Sequence, residues 1–479
     1  MECLLGIDVG TTGIKAGLFT AEGEMVDLEY RSYPISYLQP GWVEQNPEDW
    51  WENLVLAVRR ISERNSDTRR VLGISLSTQG GCTTLLDENF RPLQPSISWL
   101  DTRASEVADD LRTLVGEQKL YETSGWANFD RLTFPVLFWF RKMRPDILDR
   151  ASYIASTIDY LNYRLSGHFA VDVTNAAMTQ LMDLHRRRWW GDALSLVGMS
   201  ETQFAEIVSP GRVLGTLTRE AAEALGLPSG VQVVAGMHDQ YSASLGAGSI
   251  QIGDCVLSSG TAWVLLLTWQ GMVFEPSRKL HPGIHVLPDK AGLLTTTPFG
   301  GGNLEWFRDA FAMDANLAEL SLTAAKAPRG SQGVFFMPHG VTRSGRAAFL
   351  GMDSSHRIEH IVRAIFEGVA YSVKQNFEIF QRNGLAVKRV VMIGGGAKSE
   401  IWPEITAEIL GVQLSLPSVR EAACTGTGIL SSVSIGLFEN VEEAVQHFVG
   451  PTVSMSPRLD NVEFYQREYG RFVEYLQSV

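Results

Sequence analysis

The sequence predicts an α/β protein in which one arrangement of strands and helices occurs twice. Short apolar runs at strand length alternate with longer segments whose apolar residues recur at a helical period. Two strand-like runs joined by a turn of small residues occur near residue 6 and again near residue 258. The chain has 479 residues, enough for two or three domains at ~150 residues each. We therefore expect two domains of similar design, with a boundary near residues 246–253.

Strand-like and helical segments alternate through the first half. Residues 3–7 and 14–19 are apolar runs on either side of a glycine-rich turn, so they predict two strands joined by that turn. Residues 71–76 and 231–235 predict further strands, and residues 48–60 predict a helix.

The second half repeats the strand pair and adds the clearest helices. Residues 255–257 and 262–267 predict two strands around the turn SSGT. Residues 362–380 predict a helix with one apolar face, which Gly384 is expected to end. Residues 389–393 predict a strand, which the turn GGGAKS joins to a helix at about residues 400–410. Ser399 is the expected N-cap of that helix, and Gly411 follows its end.

Composition excludes several classes of protein. The net charge of −13 has the wrong sign for holding a nucleic-acid backbone. Neither a basic leader nor an apolar run of about 18 residues is present, so we expect neither secretion nor a membrane span. The cysteines lie far apart without a C-x-x-C pair, which favours a reducing compartment and predicts a cytoplasmic protein. They are Cys3, Cys82, Cys255 and Cys424.

The first glycine-rich turn has the composition of a phosphate site. Consecutive N–H groups around glycines form a concavity that binds anions, and threonine hydroxyls and a lysine add to it. An aspartate facing phosphates requires a hard cation such as Mg²⁺ between the two. On spacing alone, a hairpin whose aspartate bonds its own turn and whose lysine is solvated is equally acceptable. The residues concerned are Asp8, Gly10, Thr11, Thr12, Gly13 and Lys15.

Two later turns resemble the first in composition. The turn SSGTAW offers the hydroxyls of Ser259 and Thr261 around Gly260. The turn GGGAKS joins a strand to a helix, where the helix dipole and a surface without side chains suit a nucleoside or a phosphate. It also half-matches the dinucleotide pattern G-x-G-x-x-G, whereas G-x-x-x-x-G-K-[ST] is absent from the sequence.

A candidate general base follows the strand at residues 231–235. Asp239 at a strand end can accept a hydroxyl proton during phosphoryl transfer. The competing interpretation is a helix N-cap before residues 240–245, and the neighbouring His238 is interpreted as a structural histidine.

Seven segments occur in one order along the chain and resemble the FGGY family of carbohydrate kinases. They are DVGTTGIKAGLF, PGWVEQNPEDWW, SISWLDTRASE, GMHDQYSASLGAG, SSGT, MPHGVTRSGRAAFLGM and GGGAKSEIWPEITAEILGVQL, within residues 4–438. The resemblance implies two ribonuclease-H-like α/β domains of the actin and hexokinase superfamily with a cleft between them. Residues 1–247 would form the sugar side and residues 248–479 the nucleotide side. It also implies transfer of the γ-phosphoryl group of MgATP to a sugar hydroxyl.

The resemblance also implies a role for each matching residue. Asp8 would associate with the metal, and Asp239 would be the catalytic base. Nucleotide contacts would come from Gly10, Thr11, Thr12, Lys15, Gly260, Thr261, Gly301, Asn303, Gly395, Gly396 and Ala397. Acceptor contacts would come from Gln79, Trp99, Asp101, Arg103, Asp239 and Gln240. Trp99 is equally acceptable as a core residue, and Asp101 with Arg103 as a structural ion pair.

The acceptor is left open among several sugars. Gly80 and Gly81 follow Gln79 at the place where glycerol kinases carry Arg-Glu, which disfavours glycerol. Xylulose kinases typically carry Met-His-Gly near this place. A ketopentose such as xylulose is the first expectation. Fuculose, rhamnulose, gluconate, erythritol and glycerol are the alternatives, and a homodimer is kept as an open assembly state.

Other classes of function predict different behaviour. A dehydrogenase would use the GGGAKS turn to bind NADH and would not use ATP. A non-catalytic ATP-dependent sugar sensor or an actin-like assembly protein would keep the phosphate turns and lose the base, against which Asp239 argues.

Overall fold

The structure is a computed structural model that describes residues 1–65, 70–311, 315–342 and 345–478. The chain forms two compact units, each assembled from separated stretches of sequence. The first unit comprises Met1–Gly248, Gly271–Gly292 and Glu421–Val449, and the second comprises Ser249–Gln270, Leu293–Arg420 and Gly450–Val479.

Strands and helices alternate along the chain, as the sequence predicts. The strands are β1 (Glu2–Val9), β2 (Gly13–Thr20), β3 (Met25–Ser32), β4 (Ser36–Gln39), β5 (Trp42–Gln45), β6 (Arg70–Thr78), β7 (Thr84–Leu86), β8 (Ser96–Ile97), β9 (Tyr153–Ala155), β10 (Ala170–Asp172), β11 (Met182–Asp183), β12 (Arg188–Trp189), β13 (Glu206–Val208), β14 (Val213–Thr216), β15 (Gln232–His238), β16 (Asp254–Ser259), β17 (Trp263–Trp269), β18 (His281–Ile284), β19 (Ala291–Thr297), β20 (Phe335–Met337), β21 (Ala348–Leu350), β22 (Arg389–Ile393), β23 (Leu414–Pro417) and β24 (Thr452–Met455).

The helices vary from single turns to long amphipathic segments. They are α1 (Pro47–Asn65), α2 (Ala108–Val115), α3 (Glu117–Ser124), α4 (Thr133–Met143), α5 (Pro145–Leu148), α6 (Thr157–Ser166), α7 (Val173–Ala177), α8 (Gly191–Leu196), α9 (Arg219–Leu225), α10 (Asp239–Gly246), α11 (Gly302–Phe311), α12 (Leu317–Ala325), α13 (Ile358–Arg382), α14 (Trp402–Leu410), α15 (Ala422–Ser434), α16 (Val441–Phe448) and α17 (Leu459–Ser478).

The main sheet of the first unit has the strand order β14-β15-β6-β1-β2-β3. β1 pairs antiparallel with β2 and parallel with β6, and β6 pairs parallel with β15. Because β1, β6 and β15 are parallel, their carboxyl ends meet at one edge, the edge at which open α/β sheets bind ligands. Val9 and His238 both pair with Thr78 there, so the residues that follow β1 and β15 lie at the same edge.

The sheet of the second unit repeats this arrangement. From β19 its order continues β17-β16-β22-β23-β24. β16 pairs antiparallel with β17 and parallel with β22, as β1 does with β2 and β6. The predicted duplication of the strand pair is therefore confirmed at the level of sheet topology.

The longer helices confirm the periodicity in the sequence, with one shifted boundary. α13 spans Ile358–Arg382, and Gly384 follows it with φ of 69°. α14 begins at Trp402 instead of residue 400, because a short 3-10 segment at Gly396–Lys398 precedes it. The N-cap of α14 is Ile401, so the prediction of Ser399 as the N-cap is wrong, although the Ser399 hydroxyl accepts the Trp402 N–H at 3.2 Å. Gly411 ends the helix in the left-handed region.

α15 packs against β1 and α10 at backbone contact distance. A Cβ on Gly426 would lie 1.9 Å from the Ser242 carbonyl oxygen, and one on Gly246 would lie 1.9 Å from the Ala422 carbonyl oxygen. A Cβ on Gly6 would lie 2.3 Å from the Cys424 carbonyl oxygen. These three glycines have negative or extended backbone angles, so the constraint on them is space rather than φ.

Two features bear on the composition arguments. The four cysteines are buried. In the part of the chain that the structure describes, every helix is too short or too polar to cross a bilayer.

We predict that Gly426→Ala destabilises the protein by about 3 kcal/mol or more, because the new methyl group overlaps the backbone of α10. Gly230→Ala is the matched control in the same unit, since its Cβ would meet no atom within 4 Å. Its free energy of unfolding should stay within about 0.5 kcal/mol of the parent. Urea denaturation of both variants tests the prediction, and equal stability of the two would contradict it.

Candidate active site

Asp8 lies at the end of β1 with its charge in an unfavourable environment. Its Oδ1 accepts a hydrogen bond from the Ser77 hydroxyl at 2.8 Å. Burial and, next, the negative charge of Asp239 raise the pKa of Asp8 to about 6, against the opposing effects of Ser77 and Lys15. A cation beside this carboxylate would offset both causes.

The first glycine-rich turn is held from behind by side chains of its own unit. The Tyr33 hydroxyl donates to the Gly10 carbonyl oxygen, and the Gln45 amide donates to the Thr11 carbonyl oxygen at 2.7 Å. The Trp99 indole N–H donates to the Thr11 hydroxyl at 3.1 Å. Because both carbonyls accept hydrogen bonds from the protein, their negative ends are neutralised, which favours an anion at the exposed Thr12 side of the turn.

Lys15 forms an ion pair that the sequence does not reveal. Its Nζ lies 2.7 Å from the Glu421 carboxylate, which directly precedes α15. Burial acts to lower the pKa of Lys15, but the hydrogen bond and charge of Glu421 outweigh it and raise that pKa. A phosphate contact of Lys15 would therefore compete with Glu421. The two residues are 406 positions apart, so no local pattern signals the pair.

Asp239 is the first residue of α10, and the N-cap is His238, whose side chain makes no capping bond. The interpretation of Asp239 as the N-cap is therefore wrong. Its side chain is 31% exposed, whereas its Oδ1 is buried and makes no hydrogen bond. Gln240 follows on the first turn of the helix and is half-buried. Asp239 directly follows β15, which pairs with the strand of Ser77, so its carboxylate lies at the sheet edge where Asp8 also lies. A carboxylate there can accept a hydroxyl proton.

The predicted acceptor residues divide into two groups. Gln79 is buried beside the first turn, where its N–H donates to the Val9 carbonyl oxygen at 2.9 Å and its amide donates to Gln45 at 2.9 Å. Its Oε1 is buried without a hydrogen-bond partner. With Trp99 it therefore lies at the same sheet edge as Asp8.

Asp101 and Arg103 form the buried ion pair that the sequence left as one of two interpretations. Arg103 donates to both Asp101 oxygens at 3.0 and 2.8 Å and to Glu44 at 2.8 Å, and it stacks on Trp42 at 3.9 Å from the ring centre. Asp101 Oδ2 also accepts the Val43 N–H at 2.6 Å. These bonds stabilise the local fold, and a contact of either residue with an acceptor stays a prediction.

In the second unit, Ser259 brings two predicted nucleotide turns together. Its hydroxyl donates to the Ile393 carbonyl oxygen and accepts the Ala397 N–H at 3.1 Å. The Ser259 hydroxyl is therefore used inside the protein, while Gly260 and Thr261 after it are exposed. Gly395 lies against the Ser259 carbonyl oxygen.

The glycines of these turns are also required by the tryptophan behind them. A Cβ on Gly396 would lie 2.8 Å from Trp263 Cζ2, and one on Gly300 would lie 2.1 Å from Trp263 Cδ1. The glycine surface therefore carries no side chains on its outer side, and Trp263 packs tightly against its inner side.

Gly301 and Asn303 lie where a third loop leads into α11, and this loop contacts the turn at Gly260. The Gly301 N–H donates to the Gly260 carbonyl oxygen at 3.0 Å, so Gly301 does lie beside the second phosphate turn. Asn303 is fully buried, and its Oδ1 accepts the His339 N–H at 3.1 Å. Asn303 therefore orders the loop from within, and a direct nucleotide contact stays a prediction.

A divalent cation fits Asp8 by chemistry. Among the residues that the structure describes, no group of three or more His, Cys, Asp or Glu side chains could hold a metal alone. Mg²⁺ is commonly bound by one or two carboxylates together with substrate phosphates, and a single strained carboxylate beside an anion-binding turn meets that description.

Two xylulose kinases and one gluconate kinase are among the proteins similar to this chain. The xylulose kinase of Bacillus subtilis strain 168 is 28% identical over 474 residues, which are 97% of this chain and 95% of that protein. The structure of xylulose kinase from Rhodospirillum rubrum is 25% identical, with a TM-score of 0.90 over 99% of this chain and 98% of that one. The structure of gluconate kinase from Lactobacillus acidophilus is 21% identical, with a TM-score of 0.92 over 100% and 98%.

Family profiles cover most of the sequence. The N-terminal domain of the FGGY family of carbohydrate kinases matches residues 3–246, and its C-terminal domain matches residues 255–435. The glycine-rich turn after β1, the aspartate after β15 and the turns around Ser259 all lie within these matches. On these grounds the chain belongs to the FGGY family of carbohydrate kinases.

Proposed function

We propose that this chain transfers the γ-phosphoryl group of MgATP to a hydroxyl of xylulose. The observation that carries the chemistry is the placement of Asp8 and Asp239 at the ends of β1 and β15, on one sheet edge, with a charge interaction between them. Xylulose as the acceptor is supported by the names of the relatives, which cover nearly the whole chain at 28% identity.

In this mechanism the two carboxylates have separate roles. Asp239 accepts the proton of the attacking hydroxyl, because its partly exposed carboxylate follows the strand end directly. Asp8 would hold Mg²⁺, which when bound neutralises charge on the transferring phosphates. The turn from Gly10 to Thr12 and the exposed Gly260 and Thr261 would donate N–H and hydroxyl groups to phosphate oxygens.

The nucleoside would lie against the glycine surface at Gly395, Gly396 and Ala397. Trp263 and Ser259 support that surface from within the second unit. The carbonyls of Gly10 and Thr11 are engaged by the protein, which reduces repulsion of the phosphate charge. We also expect the enzyme to act in the cytoplasm, where ATP is supplied.

Other acceptors are tested against xylulose in one experiment. Gln79, with its unpaired buried oxygen, is followed by Gly80 and Gly81, which leaves the acceptor side without the histidine expected of xylulose kinases. Gluconate is of interest because one solved neighbour has that name, although a likeness at 21% identity shows the fold alone.

We predict that xylulose raises ADP release from MgATP far above the basal rate. A coupled assay with xylulose, ribulose, fuculose, rhamnulose, gluconate, erythritol and glycerol measures this. A larger kcat/KM for another sugar would replace xylulose as the acceptor. ATP binding without turnover on any sugar would favour an ATP-dependent sensor.

Asp239→Asn is expected to lower kcat by about 100-fold to 10,000-fold, because the amide cannot accept the proton. Nucleotide affinity, measured by calorimetry with a non-hydrolysable ATP analogue, should change little. Asp192→Asn serves as the control, since that carboxylate is 73% exposed and pairs with Lys119 at the surface. Near-normal turnover of Asp239→Asn would remove Asp239 as the base.

Asp8→Asn is expected to stabilise the nucleotide-free protein and to abolish Mg²⁺-dependent turnover. The pKa of Asp8 is raised from 3.8 to about 6, so its ionised form destabilises the fold above pH 6, and this cost disappears as the pH falls from 6 towards 4. The gain in Tm of the variant should therefore be full at pH 7.5 and should shrink towards pH 5. A gain that is independent of pH, or a variant less stable than the parent at pH 7.5, would show that the charge of Asp8 is not strained.

A further inference from the structure

The imidazole of His238 is fixed at the carboxyl end of β15. The backbone N–H of His238 donates to the Thr174 hydroxyl at 2.8 Å, and its ring meets Tyr241 edge-on with centroids 6.2 Å apart. The side chain is only 7% exposed. A histidine in this position has little freedom to change rotamer.

Gly80 provides the room that this ring needs. A Cβ on Gly80 would lie 2.7 Å from His238 Cδ2 and equally close to Met178 Cγ. The φ of Gly80 is not positive, so the backbone does not itself require glycine. Glycine is required at position 80 because the His238 imidazole and the Cγ and Cβ atoms of Met178 occupy the space that a side chain would fill.

The ring of His238 borders the buried oxygen of Asp239. His238 Nε2 lies 3.2 Å from Asp239 Oδ1, the oxygen that makes no hydrogen bond in this structure. Because Oδ1 is buried beside the imidazole nitrogen, Oδ2 is the oxygen of Asp239 that remains available to a substrate. The two atoms lie within hydrogen-bond distance without forming a hydrogen bond in this structure, and catalytic contacts often tighten only when substrate binds.

We propose that His238 is a positioning residue that holds Oδ1 of Asp239 and so directs Oδ2 towards the acceptor hydroxyl. This inference rests on the proposed function, in which Asp239 is the base. The effect is on geometry: an Asp239 carboxylate free to rotate presents Oδ2 in the reactive orientation for only part of the time.

Two substitutions separate Nε2 from the rest of the ring. His238→Gln places an amide nitrogen near the position of Nε2, whereas His238→Asn places one near Nδ1. We expect His238→Asn to lower kcat by about 10-fold to 100-fold, with the KM for ATP and for sugar within about threefold of the parent. We expect His238→Gln to recover most of kcat. Equal impairment of both variants, parental kcat in both, or a change confined to KM would overturn the proposal.

Gly80→Ala tests the same contact from the loop that follows β6. The methyl group must displace the imidazole, so kcat should fall in the parent background. In a His238→Ala background the contact with the imidazole is absent and only the contact with Met178 Cγ and Cβ remains, so Gly80→Ala should cause a clearly smaller loss of kcat than it does in the parent. Additive losses in the double variant would overturn the proposal, because they would show that Gly80 acts independently of His238.

Controls keep this test apart from that of the proposed function. The parent protein is assayed first with the sugar panel, and an inactive parent contradicts the kinase proposal itself. If the parent is active and Asp239→Asn is inactive, normal kcat in His238→Asn contradicts the positioning role alone. Thermal unfolding of each variant shows whether the fold is kept, and the comparison of His238→Gln with His238→Asn remains informative if His238→Ala is unstable.

Discussion

The backbone contact of α15 with β1 and α10 is the constraint on which the first unit's site depends. Gly6, Gly246 and Gly426 lie where any side chain would overlap a backbone atom of the neighbouring element. This contact places Glu421, which precedes α15, within 2.7 Å of Lys15 on β2. It also fixes α10, whose first residue is Asp239, so a change in packing at these glycines would move the carboxylate that we propose as the base.

The charged residues near the contact of α15 with β1 and α10 are not all paired with opposite charges. Lys15 is paired with Glu421, whereas Asp8 and Asp239 are two carboxylates that repel each other, which contributes to the raised pKa of Asp8. A folded protein tolerates such a cost where a ligand removes it, and a divalent cation with ATP phosphates has the chemistry to do so. In the proposed function, the unfavourable charge at Asp8 would be relieved when MgATP binds.

In the second unit, hydrogen bonds order three loops around an exposed surface. Ser259 joins its own turn to residues 393 and 397, and Gly301 joins a third loop to Gly260. Trp263 packs behind the glycines, so these residues are needed both to leave the outer surface flat and to admit the indole. In this unit the surface proposed for the nucleoside is maintained by hydrogen bonds and van der Waals contact.

The sequence by itself determined the alternation of strands and helices, the repeated strand pair and the family, because these depend on local periodicity and on motifs of adjacent residues. It also located Asp8 and Asp239, since strand ends and turn glycines are visible in the chain. Only the tertiary structure decided that Glu421–Val449 packs with the first unit and that Lys15 meets Glu421. It alone showed that Arg103 donates hydrogen bonds to both carboxylate oxygens of Asp101 and that the His238 imidazole occupies the space beside Gly80. These are contacts between residues distant in sequence, and their partners are selected by packing and by the burial of charge rather than by any local pattern.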